Sequence, residues 1–468
     1  HTHGGDLPPI ANEWPTTSYQ NVSILARQSF SIFAPSNAAL NDFFQRYWRI
    51  GGYSSLSDVD RLAMQYLLLQ FYYSGSIVFP EEITQGMVMN RYGTVFNFNP
   101  YTASDKALCV NGSFFGLSDI GTPPLFGSVA GPAFRDKNKM AFLYALSGSQ
   151  MLDAYASNNI QFTLLVPSDA LLLKNGIQLN SYAGRKVLEI ETEDGLSSLS
   201  TERMQEMANM HTSSIAGGLA TTGKQVVPSQ ISFNYWYLKD GTISSSANFN
   251  NYLNPEYTGN PFVPFTEITN NGAAWNNGRA YTYSDAATGM LEPDKSDGLA
   301  YALAVGNDNR YLYSNFVKLL KCAGLVNGTS ITFLAGSQRF IAFIPTNEAI
   351  EQAVIAKQIP GFENCSTLAD WDDDGIDKDI PLLATYLKSY FILATNNVFT
   401  NYPYPGSSVR SGVYISGNGS TRMQYSDTGT TLNVKSTNRT NNPNVVATYD
   451  YFPFAFKDGC FHLIDATL

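Results

Sequence analysis

Short apolar runs that end at proline alternate along this chain with stretches in which apolar residues return every three or four positions. Three of the runs are near copies: Phe30-Ser-Ile-Phe-Ala-Pro35, Phe162-Thr-Leu-Leu-Val-Pro167 and Phe340-Ile-Ala-Phe-Ile-Pro345. Five β-prone, mostly apolar residues predict a buried strand, and proline, which cannot donate to a ladder, ends it. Each proline is followed by a pair of short polar residues: Ser36-Asn37, Ser168-Asp169 and Thr346-Asn347. Their side-chain oxygens suit the cap of a following helix. The predicted unit is strand, break, cap and helix, of the form FxxφφP[ST][ND].

Self-similarity extends beyond this box. Helical periodicity marks a central helix in each copy, over residues 64–72, 203–211 and 382–390. Helices are also predicted ahead of the second and third boxes, over 140–155 and 312–325, the latter stopped by Gly324. A closing segment follows in each copy: Asn111-Gly112-Ser-Phe-Phe115, Asn277-Gly278-Arg-Ala-Tyr281 and Asp458-Gly459-Cys460-Phe461-His462-Leu463-Ile464-Asp465. Asn-Gly and Asp-Gly signal a tight turn, and an alternating strand then runs to an aspartate.

These segments, in this order, resemble the fasciclin family, whose opening motif has the form TxFAPTNxAF and whose closing strand reads NGxIHxIDxVL. The third copy is the fullest match, with His462 and Asp465 in place. The first two lack the closing His and Ile, and the Tyr-His that often ends the family's central helix survives only as His211 in the second. The resemblance implies an α+β chain of three tandem fasciclin-like domains, each a β-wedge or sandwich with a helical layer, over residues 1–128, 129–293 and 294–468. It implies adhesion or extracellular recognition through protein contacts, without turnover. Divergent bacterial relatives of this style extend the expectation. They suggest a surface lipoprotein, anchored to the outer membrane through a segment upstream of this sequence. They also suggest an accessory role to an outer-membrane transporter, with glycan binding as the alternative.

Composition narrows the partners. The 468 residues exceed one ordinary core. Hydrophobic residues make up 44% and charged residues 15%, with a net charge of −10, which excludes the basic footprint of a nucleic-acid binder and docking on anionic lipid. No apolar run approaches the roughly 18 residues of a membrane-spanning helix. Four cysteines, none in a CxxC pair, are too few for a disulfide scaffold. Either one local disulfide in the last third or small buried thiols would account for them.

Candidate chemistry is sparse. No GxSxG, P-loop or HExxH is present. Of four histidines, His1 and His3 lie at the first residues of the sequence, and His462 alternates with Phe461 and Leu463 as a structural imidazole would. One acidic cluster, Asp370-Trp-Asp372-Asp-Asp374-Gly-Ile-Asp377, follows DxDxDG and offers oxygens to Ca²⁺. The plainer reading is a solvated loop, or acids serving the N-terminus of a helix from Ile380. Aromatic clusters supply the other candidates. Trp236, Tyr402 and Tyr404, beside polar or proline-rich loops, are the expected exposed contacts for protein or sugar, against the alternative that such aromatics line the core.

Overall fold

The computed structural model describes residues 30–74, 78–90, 95, 98–109, 112–157, 159–285, 291–298, 310–328, 330–334, 339–373, 375–393, 412–437 and 439–468. The architecture is α+β. It divides into two compact units, His1–Ala208 with Glu267–Thr282, and Asn209–Thr266 with Tyr283–Leu468.

In the first unit the box strand Phe30–Pro35 pairs antiparallel with Tyr72–Ser74 on one side and parallel with Gly112–Leu117 on the other, and Lys106–Cys109 flanks the latter. Phe33 stacks on Phe115 with ring centroids 5.6 Å apart. Both are buried with Val78, Ile83 and Val88, as the alternation of the strands requires. The second box strand, Phe162–Leu165, pairs parallel with residues of Gly278–Tyr283. Three further antiparallel strands, Ile177–Tyr182, Arg185–Thr192 and Gly195–Ser198, form a separate sheet. Its first turn passes through Ala183 and Gly184, both at positive φ, as a two-residue hairpin turn requires.

The second unit repeats the first sheet. The box strand Phe340–Pro345 lies between antiparallel Phe391–Leu393 and parallel Gly459–Ile464, with Phe454–Phe456 flanking. Around it is a large core that includes Phe316, Phe343, Tyr390, Phe391 and Phe461. In all three copies the register is the same: Phe30 opposes Gly112, Phe162 opposes Gly278 and Phe340 opposes Gly459.

Several elements differ from expectation. The helix predicted over 140–155 is two, Met140–Gly148 and Leu152–Tyr155, separated at Gln150, whose φ of 64° is left-handed. Residues 241–274, whose Asn, Gly and Pro content suggests a surface excursion, contain the strands Thr242–Ser245 and Val263–Ile268. They also bury Ile243, Phe249 and Leu253. Apolar side chains spaced among the polar ones decide the outcome, because each buried Phe or Leu contributes about 2 kcal/mol. Beyond Gly412 the expectation holds: the alternating runs Val413-Tyr-Ile and Thr431-Leu-Asn-Val predict strands, and Gly412–Ile415, Arg422–Asp427 and Leu432–Ser436 form a three-stranded sheet, with Met423, Tyr425, Leu432 and Val434 buried. Cys109, Cys322, Cys365 and Cys460 are all free thiols. Among the described residues no helix is long and apolar enough to cross a membrane.

Candidate functional site

The box residues act as joints of the fold. Ser36, Ser168 and Thr346 accept from the backbone N–H three positions on, at 3.1, 3.1 and 3.2 Å, and so cap the helices that begin at Asn37, Asp169 and Asn347. The following residue reaches backwards instead. The Asp169 carboxylate accepts from the N–H groups of Met140 and Ala141 at 3.2 and 2.9 Å. Burial pushes its pKa up. Asn347 accepts from the Asn315 N–H at 2.9 Å and donates to the Tyr311 carbonyl at 2.8 Å. Each therefore caps the helix that precedes its box, satisfying donors the helix itself cannot. Asn37 is exposed, and among the described residues its side chain makes no hydrogen bond. Pro35 and Pro345 are the last residues of their strands, while Pro167 stands just beyond Phe162–Leu165.

The closing histidine and aspartate are structural. His462 is buried and stacks on Phe343 at 5.9 Å. Asp465 accepts from the backbone and side-chain N–H groups of Asn444 at 2.8 and 3.1 Å. His211, at the end of the second central helix, is buried and bonds the Tyr283 hydroxyl through Nε2 at 2.8 Å.

Trp236 is not exposed. Its side chain is fully buried, and its indole N–H donates to the Met210 carbonyl at 2.7 Å. The strand Tyr235–Lys239 is buried along most of its length, so both faces, not one, take aromatic side chains into the interior. Tyr402 and Tyr404 lie outside the described residues.

The acidic loop is largely committed to its own backbone. Asp370 accepts from the Ser366 and Thr367 N–H groups at 2.6 and 3.1 Å and from the Thr367 hydroxyl at 2.8 Å. These bonds hold its carboxyl below the usual carboxylate range. Asp373 accepts from the Gly375 N–H, and Asp379 caps the helix Ile380–Lys388. Asp372 and Asp377 are exposed, and Asp374 lies outside the described residues. Among the described residues no group of three or more metal-binding side chains converges.

A different place in the first unit does gather chemistry. An open cleft of about 630 Å³ lies between the start of the helix Arg61–Leu69 and the turn that joins Ile177–Tyr182 to Arg185–Thr192. Its polar lining comprises Arg61, Gln65, Tyr144, Ser181, Arg185 and Lys186. Beneath it lies Asp60, a buried carboxylate. Asp60 caps the helix by accepting from the Leu62 N–H at 2.8 Å. It also accepts from the Tyr144 hydroxyl at 3.2 Å and from the Lys186 ammonium at 2.6 Å. Burial and the Asp60 charge push the Tyr144 phenol well above its ordinary pKa. One acid thus offsets one of three cations. Among the described residues neither the Arg61 nor the Arg185 guanidinium is paired with an acid.

Nothing in the spacing of the sequence marks this cleft, because Arg61 stands more than a hundred residues from Arg185 and Lys186. The one local signal is Ala183-Gly184-Arg185-Lys186, a tight turn that lifts two adjacent cations out of an acidic chain.

No protein-family model matches the chain, and no curated protein matches it. Among solved structures, a FAS1 domain pair from the insect cell adhesion molecule Fasciclin I aligns with 70% of this chain and 96% of its own length. The identity is 12% and the TM-score 0.27.

Proposed function

We propose that this chain is a non-enzymatic recognition protein built from three fasciclin-like modules, acting at the cell surface or outside the cell by docking on other envelope or extracellular proteins. The observation that carries the module reading is the thrice-repeated register in which the box phenylalanine opposes the closing-turn glycine, together with the motifs that the sequence shares with the fasciclin family. Binding without turnover is supported by the chemistry of the cleft. Its polar lining is dominated by hydrogen-bond donors, and among the described lining residues there is neither a histidine nor a pair of carboxylates that could exchange protons with a substrate. The experiment is purification of the native protein after gentle detergent extraction. A stoichiometric envelope partner upholds the reading, and a strictly monomeric native particle counts against it.

The second reading is glycan binding, as an accessory to an outer-membrane uptake system. A concave, polar cleft favours it over a flat docking face, since small ligands are held in clefts of roughly 300–1,000 Å³.

A further inference from the structure

We infer that the cleft lined by Arg61 and Arg185 binds an acidic sugar, an oxyanion borne on a polyhydroxylated ring. The inference rests on the reading that the chain binds without turnover, and it assigns that reading a ligand class.

Charge is the first argument. The sequence carries 39 acids against 29 Lys and Arg, yet this cleft draws together three cations. Lys186 is engaged with Asp60 at 2.6 Å, which leaves the two guanidinium groups in excess. A guanidinium presents its donors as a planar fork that matches carboxylate, sulfate and phosphate oxygens two at a time. An unpaired pair in one concavity is a seat for such a group.

The rest of the lining is the second argument. Gln65 and Ser181 both donate and accept, and the Tyr144 hydroxyl, whose proton goes to Asp60, can still accept, which suits the hydroxyl groups of a sugar ring. The apolar side chains among the described lining residues are Leu62 and Ala183, too few and too short to sheathe an acyl chain. Tyr144 is the one aromatic among the described lining residues, and it is half-buried. A nucleobase would find no platform of the kind that stacking requires.

The third argument is rigidity. The Asp60 carboxylate ties the helix start, Tyr144 and the hairpin strand together through three bonds, including the Leu62 cap. The guanidinium groups therefore stand on elements already fixed to one another, which lowers the entropy lost on binding.

The test is calorimetry on the full chain at low salt with four probes: a trigalacturonate, the neutral maltotriose, a sulfated disaccharide and inorganic phosphate. The expected result is binding of the trigalacturonate or the sulfated sugar, weakened by salt, with no heat from maltotriose. Whichever of those two binds more tightly names the acid group. Arg61→Gln and Arg185→Gln should each weaken binding roughly tenfold while leaving the melting temperature unchanged, because among the described residues neither guanidinium carries an ion pair. Absence of binding by both acidic sugars overturns the assignment. So does binding indifferent to both substitutions, and so does phosphate that binds as tightly as the sugars. Recovering the ligand and weighing it separates the two levels of the claim. An intact ligand upholds both, whereas a shortened one keeps the ligand class and overturns the reading that the chain does not turn it over.

Discussion

The carbonyl oxygen of Phe162 lies 1.8 Å from the point where a Cβ at Gly278 would stand. The same relation holds at Gly112 against Phe30, at 1.7 Å, and at Gly459 against Phe340, at 2.2 Å. The parallel pairing of box strand and closing strand is close enough at its first rung that only glycine fits, and at Gly278 the φ of 139° adds strain for any other residue. Gly278→Ala is expected to cost roughly 4 kcal/mol, at the severe end for a single substitution. Gly121→Ala, where nothing lies within 4 Å, should stay within about 0.5 kcal/mol. Urea unfolding of the two variants checks the difference.

The residue before that glycine is Asn277 in one copy and Asp458 in another, and the two are not interchangeable. Asn277 is buried, accepts from the Val129 N–H at 2.9 Å and donates to the carbonyls of Tyr155 and Ser157 at 2.7 and 3.2 Å. Asn277→Asp would set a carboxylate against two carbonyl oxygens. It is expected to cost about 3 kcal/mol, the penalty for an uncompensated buried charge, and thermal unfolding at pH 8 measures it.

Asp458 carries the opposite prediction. Its carboxylate accepts from the Gly298 N–H at 2.8 Å. Burial, reinforced by the charge of Asp297, raises its pKa from 3.8 to about 7. A folded-state pKa above the unfolded value means that the native state holds the proton more tightly. The contribution to stability is therefore full below about pH 4 and is lost as pH rises through about 7. Asp458→Asn keeps the acceptor and removes the charge. It is expected to melt higher than the parent at pH 8 and to show a flatter stability profile between pH 4 and 7. A parent profile that is flat over this range would contradict the assignment.

Asn347 and Thr346 occupy adjacent positions and should fail differently. Thr346→Ala removes one cap and should cost about 1 kcal/mol. Asn347→Ala releases the helix Ser314–Cys322 from the box, removing the acceptor of the Asn315 N–H and one of the donors to the Tyr311 carbonyl, at a cost of about 2 kcal/mol. Asn37→Ala, at the equivalent but exposed position, should change stability by less than about 0.5 kcal/mol. Denaturant midpoints of the three variants rank them.

Trp236→Ala is expected to remove about 3–5 kcal/mol, because it empties a fully buried site and orphans the Met210 carbonyl. Trp236→Phe, which fills most of the space but loses the indole donor, should recover part of that loss. Chemical denaturation of the pair checks the order.

The boxes were legible because each packs several local signals into eight residues: a strand-length apolar run, proline, and an N-cap. The backward reach of Asp169 and Asn347 was not, since an Asx at that position serves equally well as the first residue of its own helix. Trp236 misled for a related reason. Polar neighbours suggest a surface, but strand Tyr235–Lys239 is covered on both faces, and coverage of that kind depends on residues more than 200 positions away, such as Pro453, whose carbonyl accepts from Tyr237 at 2.5 Å. The cleft was invisible for the same cause. Arg61, Tyr144 and Arg185 line one cleft across contacts distant in sequence, such as Asp60 with Lys186, 126 positions on.

The parallel pairing of each box strand with its closing strand has a consequence for synthesis. Ser31 and Ser113, bonded hydroxyl to hydroxyl at 2.6 Å, are 82 residues apart, and each box strand leaves the ribosome long before the strand that covers it. Until then its apolar edge is open to other chains, the condition under which β-rich proteins aggregate. Contacts this distant in sequence also slow folding. Each box sheet would then stay incomplete during translation until its Asx-Gly turn emerges, and a nascent chain arrested just short of Gly278 should be far more sensitive to protease around Phe162 than one arrested well beyond it.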